Sequence, residues 1–198
     1  MVVRERAGKL RASDGVRLYH ASWLPEGEPR AIVLVSHGHG EHGGRYGELA
    51  RHLAERGMAV HAIDHRGHGR SGGTRGHVDR FGQYVADLET WRRAVTADVP
   101  VDIPVFLLGH SLGGLIAIRH LQTHPEAGFR GAVLSAPLLG IALRPPRWKV
   151  ALSGILSRAL PRLPFSNELD PSMLSTAPGY VEAFRADTLL HPTITPRL

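Results

Sequence analysis

Residues 105–114 read Val-Phe-Leu-Leu-Gly-His-Ser-Leu-Gly-Gly, an apolar run that passes directly into a G-x-S-x-G sequence. Four consecutive apolar residues, Val105 to Leu108, suit a strand covered on both faces, as in a parallel sheet. Leu112 to Leu121 then carry helix-compatible apolar spacing. A serine at such a strand-to-helix corner is forced onto a tight turn, with its hydroxyl exposed above the carboxyl edge of the sheet. Gly109 and Gly113 fit that turn because a side chain at either place would crowd it. The helix that follows presents its positive end to a developing oxyanion. Ser111 is therefore the candidate nucleophile, in preference to the ordinary helix N-cap that serine often provides. His110 is read as a packed residue beneath the turn and not as a catalytic base.

A second apolar strand, Ala31-Ile-Val-Leu-Val-Ser36, ends in the glycine-rich loop His37-Gly-His39-Gly-Glu41-His42-Gly-Gly. A helix over Arg45–Arg56 follows, with Tyr46, Leu49, Ala50, Leu53 and Ala54 on one face and Gly57 as its stop. Acyl transfer needs two backbone N–H donors aimed at the tetrahedral oxygen. Leu112, next after the nucleophile, offers one, and His39 in this loop offers the other.

The same loop admits a different chemistry. His37-x-His39-x-Glu41-His42 resembles the H-x-H-x-D-H metal signature of metallo-β-lactamase-like hydrolases, and imidazole and carboxylate ligands at that spacing suit zinc. Two points count against a metal-dependent hydrolase built on His37, His39 and His42. Glutamate replaces the aspartate, moving the carboxylate by a methylene, and the elbow at Ser111 is left without a purpose. No metal is expected.

A third strand, Met58–Asp64, leads into His65-Arg66-Gly-His68-Gly-Arg-Ser71-Gly-Gly. The loop lacks the Lys-Ser/Thr pair of a phosphate cradle and the interleaved aromatics of a nucleic-acid surface. Asp64 and Arg66 are expected to pin the loop beside the site, as His37, Glu41 and His42 structure the one before it.

His37-Gly-His-Gly-Glu-His42, Asp64-His-Arg-Gly-His-Gly-Arg-Ser71 and Gly109-His-Ser-Leu-Gly-Gly114, in this order and spacing, closely resemble the monoacylglycerol lipase and lysophospholipase branch (serine aminopeptidase-like) of the α/β-hydrolases. The resemblance covers nearly the whole chain. It implies a mainly parallel sheet with flanking helices and a helical lid insertion. It further implies carboxylic-ester hydrolysis through an acyl-enzyme on Ser111, an oxyanion hole from the N–H groups of His39 and Leu112, and no cofactor. A peptidase or thioesterase of the same fold would share every motif present. Residue 39 is small in many relatives, but a backbone donor tolerates the histidine.

In this fold the triad runs Ser, then Asp or Glu, then His. The family places the last two after strands downstream of the lid. Asp170, Asp187, Glu168, Glu182 and His191 all fall in the lid-like stretch, and His120 and His124 ride the helix behind the elbow. None follows a convincing sheet strand, so the 198 residues are read as a C-terminally truncated hydrolase, inactive as it stands.

The organisation expected is a core over 1–137 and a lid region over 138–198 that ends before the final core strands. Further strands are placed at Lys9–Ala12 and Val16–Trp23, joined through Asp14-Gly15, and at Val101–His110 and Gly131–Ser135. Helices are placed at Arg80–Ala97 and Leu112–His124, the first with Phe81, Tyr84, Val85, Leu88, Trp91 and Val95 as its core face. Alternating strands and helices give an α/β class. In the lid region, prolines at 145, 146, 161, 164, 171 and 178 break the chain into short pieces. The stripe of Trp148, Leu152, Ile155, Leu156, Ala159, Leu160 and Leu163 either packs on the domain beneath or faces an acyl chain or a membrane surface.

Composition sets limits. The net charge is +6, carried almost wholly by arginines spread along the chain, with lysine only at 9 and 149. Solvated faces explain that spread better than a nucleic-acid footprint. There is no cysteine, which excludes disulfides and thiolate metal sites. The start, Met-Val-Val-Arg-Glu-Arg, lacks an apolar signal core, and no run approaches the roughly 20 apolar residues of a membrane span. The expected partner is a small lipid or ester, and the expected location is the cytoplasm, with peripheral membrane contact left to the lid.

Overall fold

The computed structural model describes residues 2–140, 147–167 and 170–197, with 147–152 by their helical backbone alone. Trp148, Leu152, Glu168 and the prolines at 145 and 146 therefore lie outside what can be compared with the sequence reading.

The strands β1 (Arg4–Arg11), β2 (Arg17–Leu24), β3 (Ala31–Ser36), β4 (Met58–Asp64), β5 (Val105–His110) and β6 (Phe129–Ser135) form one sheet in the order β1-β2-β4-β3-β5-β6. β1 and β2 are an antiparallel hairpin and β2 meets β4 antiparallel, whereas β4, β3, β5 and β6 are all parallel. Every residue of β3 is buried, as its unbroken apolar sequence requires of a strand covered on both faces. Ile32 and Leu34 enter the core beneath α2 (Gly82–Thr96) and α3 (Leu112–Thr123), while Val33 and Val35 enter the core beneath α1 (Gly47–Ala54). This is the α/β-hydrolase architecture expected, and one consequence of it locates the site. From β3 the chain crosses to β4 on one side, and β5 lies on the other side. Crevices in open parallel sheets form outside the carboxyl ends of strands flanking such a reversal, here the ends of β3 and β5.

Several boundaries differ from the sequence reading. β1 starts at Arg4 and not at Lys9, because its exposed, charge-rich first half carries no apolar alternation to be seen. Residues 101–103 are turn, and β5 begins after Pro104. A 3-10 turn over Gly43–Tyr46 precedes α1, and Leu49 leaves the buried face to stand exposed. The face of α2 is as expected, with Tyr84, Leu88 and Trp91 fully buried.

Beyond β6 come α4 (Arg147–Ala159), the short antiparallel pair β7 (Phe165–Ser166) and β8 (Thr193–Ile194), and α5 (Tyr180–Ala186). Of the apolar stripe, Ile155, Leu160 and Leu163 are exposed, Ile155 by 62%. β6 is the outer strand of the sheet and leaves Val133 59% exposed.

One ion-pair network ties three elements together. The Arg66 guanidinium donates to both carboxylate oxygens of Asp87 on α2, at 2.6 and 2.7 Å, and to Asp14 in the hairpin turn at 2.7 Å. The Arg66 and Asp87 side chains are 7% and 1% exposed. Removing one member of a buried pair strands the other charge. Asp87→Ala is expected to cost about 3–5 kcal/mol in urea unfolding, whereas Glu5→Ala, which breaks the exposed pair with Arg51, should cost at most about 1 kcal/mol.

Candidate active site

Ser111 sits between β5 and α3 with φ +50° and ψ −117°, a conformation that side-chain-bearing residues rarely adopt. Its main chain is held from three directions. Its N–H donates to Ser135 O (3.0 Å), and its carbonyl accepts from Leu115 N (3.1 Å) and Leu138 N (3.0 Å). The start of α3 also lies against β3 so closely that a Cβ on Gly113 would strike the Ser36 and His37 carbonyls. Ser36 Oγ crosses the same contact to donate to Gly113 O (3.2 Å).

The loop after β3 faces this turn. A Cβ on Gly38 would stand 2.7 Å from Glu41 Oε1 and 3.2 Å from the Cβ of Ser111, so glycine at 38 eases the approach of the loop backbone to the serine. A cavity of about 490 Å³ opens here. Ser111, Gly38, His39 and Glu41 line it on the sheet side, and Leu174, Tyr180, Phe184 and Leu190 on the other. Leu112 is the first residue of α3 and is buried beside the turn. As an N-terminal helix residue its N–H has no intrahelical acceptor.

The structuring residues fall into two groups. His37 is completely buried, accepting from His65 N at Nε2 (3.0 Å) and donating from Nδ1 to Gly38 O (2.6 Å), and burial holds its pKa well below the usual value. Glu41 Oε1 accepts from Gly38 N (2.6 Å) and Tyr46 OH (3.2 Å), while Oε2 meets Arg45 at 3.4 Å. Asp64 accepts from Gly43 N (2.8 Å) and Arg70 N (2.7 Å) and so joins the two glycine-rich loops. Burial raises its pKa, against the pull of those two N–H groups. His42 accepts from Gly44 N at Nδ1 (3.1 Å), which leaves Nε2–H to donate to Asp187 (2.8 Å). Arg66, by contrast, is not beside the cavity: it pins the far side of its loop to Asp87 and Asp14.

The metal-like run does not converge. His37 and His42 each engage both ring nitrogens elsewhere, and both Glu41 oxygens are taken. Among the described residues no group of three or more His, Asp or Glu side chains is placed to hold a metal ion. His110 also departs from expectation: it is half-buried and lines the cavity with Ser111, its Nδ1 turned to the Ser135 carbonyl (3.1 Å). That bond between neighbouring strand ends draws the ring to the edge and not beneath the turn. His120 is buried against Glu89 (2.8 Å), and among the described residues no imidazole lies within hydrogen-bond reach of Ser111 Oγ.

Residues 27–198 match the family model described as Serine aminopeptidase, S33 (Hydrolase_4). The chain belongs to that family. A monoacylglycerol lipase of Mycolicibacterium smegmatis is 36% identical over 177 residues, which is 89% of this chain and 62% of that protein. Human monoglyceride lipase is 41% identical over 179 residues, 90% of this chain and 58% of that protein. The crystal structure of a Paleococcus ferrophilus monoacylglycerol lipase superposes with a TM-score of 0.78 at 38% identity, covering 91% of this chain and 66% of that one. The chain thus spans about three-fifths of the length of the two lipases matched by sequence.

Two contacts at the site carry no local signal in the sequence. Asp187, placed by the sequence in the lid-like stretch, bonds His42 through its carboxylate across 145 positions. Burial tends to raise its pKa, but the His42 and Leu189 bonds outweigh this and leave it lowered. Arg45 donates to Tyr180 OH (2.9 Å) and stacks under the rings of Tyr180 and Phe184, a contact that no local pattern announces. The strained serine gives a direct test. Ser111→Gly removes both the nucleophile and the strain, which in such regions is worth about 1–3 kcal/mol, partly offset by glycine's freedom when unfolded. It should unfold at higher urea than Ser111→Ala. Equal midpoints would show that the turn is unstrained.

Proposed function

We propose that this chain is the nucleophile-bearing part of a serine hydrolase of carboxylic esters, of the monoacylglycerol lipase and lysophospholipase type. The observation that carries the reading is Ser111 on its positive-φ turn, facing the Gly38–His39 loop across a shared cavity. Ser111 Oγ attacks the ester carbonyl, the alcohol leaves, and water hydrolyses the acyl-enzyme. The N–H groups of His39 and Leu112 receive the negative oxygen of each tetrahedral intermediate. No step calls on a cofactor.

The walls support the substrate class. Beside the serine Glu41 pairs with Arg45 and Asp187 with His42, and the facing wall of Leu174, Tyr180, Phe184 and Leu190 suits an uncharged acyl chain. Residues 138–198 act in this reading as the lid of a core formed by 1–137. The exposed Ile155, Leu160 and Leu163 on and after α4 suit contact with a lipid surface. No helix among the described residues is long and apolar enough to cross a membrane.

Serine is a weak nucleophile at neutral pH without an adjacent base, and Ser111 has no imidazole partner here. The 198-residue chain is therefore expected to show only the residual, roughly 10³–10⁴-fold acceleration over water that oxyanion stabilisation and binding supply. A chain extended through the natural reading frame should hydrolyse 4-nitrophenyl and monoacylglycerol esters with a rate that Ser111→Ala abolishes. Robust Ser111-dependent turnover by the short chain would refute the missing-base argument. Turnover unaffected by Ser111→Ala would end the serine-hydrolase reading.

A further inference from the structure

The segment after Asp187 is tied to the oxyanion loop by a residue with no assigned role. His191 N–H donates to Gly40 O (3.0 Å), and a Cβ on Gly40 (φ +75°) would strike the His191 carbonyl in return. The His191 ring stands edge-on to His39 at 5.7 Å and tilted against His68 at 4.8 Å, and His39 and His68 are 5.3 Å apart. Three imidazoles from three segments thus close on one another at the edge of the cavity that Ser111 lines. Both ring nitrogens of His191, and Nε2 of His39, are buried without a well-formed hydrogen bond.

Such a cluster, with His68 Nε2 and His39 Nδ1 sharing a hydrogen bond at 3.4 Å, favours neutral rings over several charged ones. The groups bearing on it are other imidazoles and one guanidinium: His39 from the first loop, His68 and Arg75 from the second, with His37 and His65 behind them. On its own segment the nearest carboxylate, Asp187, is committed to His42. Burial and then Arg75 lower the pKa of His191, against a small opposing pull from the Gly67 and Thr193 main chain. Burial and then His191 lower that of His39 to about 4, and burial lowers that of His68 further. A group whose pKa is depressed in the docked form contributes stability that is complete above its free value of 6.5 and is lost as the pH falls toward the docked value.

We propose that His191 is a positioning residue for the oxyanion loop, whose neutral ring and main chain hold Gly38–Gly40 against Ser111 and whose protonation releases that hold. The proposal rests on the reading of His39 N–H as an oxyanion donor. It assigns the second half of the cavity wall a function besides lining: the segment that covers the substrate also fixes the donor that must meet the reacting oxygen, and does so only while the imidazoles are neutral.

Amide hydrogen exchange of the intact chain tests this without turnover. Between pH 7.5 and 5.5, after correction for intrinsic exchange, protection over residues 38–43 and 188–195 should fall together. Protection of β3 and β5 should hold. His191→Phe keeps an aromatic ring and removes one of the three titrating rings, so its loop should lose clearly less protection at pH 5.5 than the wild type's, with His39 and His68 carrying the remainder. His191→Leu serves the same purpose if the larger ring does not fold. Acid loss as large in these variants as in the wild type, or no acid loss in the wild type, would overturn the proposal. An acid-labile loop in a protein whose extended form shows no Ser111-dependent hydrolysis would support the latch and sink the proposed function.

Discussion

The contact between the first turn of α3 and the last carbonyls of β3 is the constraint on which the site depends. Because residue 113 has no side chain, the helix can begin directly against Ser36 and His37, and the preceding residue is then compelled into a positive-φ turn. Three main-chain hydrogen bonds hold Ser111 there. The strain of that turn, of the order of 1–3 kcal/mol, is held by those bonds and by the parallel pairing of β5 with the fully buried β3, which fixes the two strand ends relative to each other. The order β4-β3-β5 places those ends at the reversal of the sheet, so the crevice and the strained serine share one cause.

Much of this was legible because it is local. Apolar runs marked β3 and β5 as strands, although β5 is half-buried where cover on both faces was expected; Asp14-Gly15 marked the hairpin, and the glycine spacing around Ser111 announced the turn. What escaped the sequence was either exposed or distant. The first half of β1 pairs through its backbone while its side chains face solvent, so it leaves no alternation to read. The His42–Asp187 bond joins positions 145 apart, a separation over which no periodicity operates. His110 was misjudged because its orientation is set by the Ser135 carbonyl of a strand that folds beside it only in the assembled sheet.

The histidines show how spacing alone misleads. His37-x-His39-x-Glu41-His42 carries the residue types of a metal site, and the deciding fact is which atoms remain to bind. His37 spends one nitrogen on the His65 amide and the other on Gly38; His42 spends its pair on Gly44 and Asp187. Each ring therefore works as a two-ended strut with its tautomer fixed by its neighbours. Packing many imidazoles together has an electrostatic consequence that a single strut does not. Every ring lowers the proton affinity of the next, so the cluster is stable as a neutral assembly and becomes unfavourable as soon as one member charges.

The two loops are locked at unequal cost. Arg66 anchors its loop through a doubly bidentate arrangement with the buried Asp87 and the more exposed Asp14. The Gly38–Gly40 loop relies instead on His37, His42, Glu41 and the ring stack with His191. The guanidinium that does line the cavity, Arg45, is matched by Glu41 and lies against the Tyr180 and Phe184 rings. Neutral rings hold the loop while leaving the cavity wall free of net charge, and the sensitivity to acid is a consequence of that choice of materials.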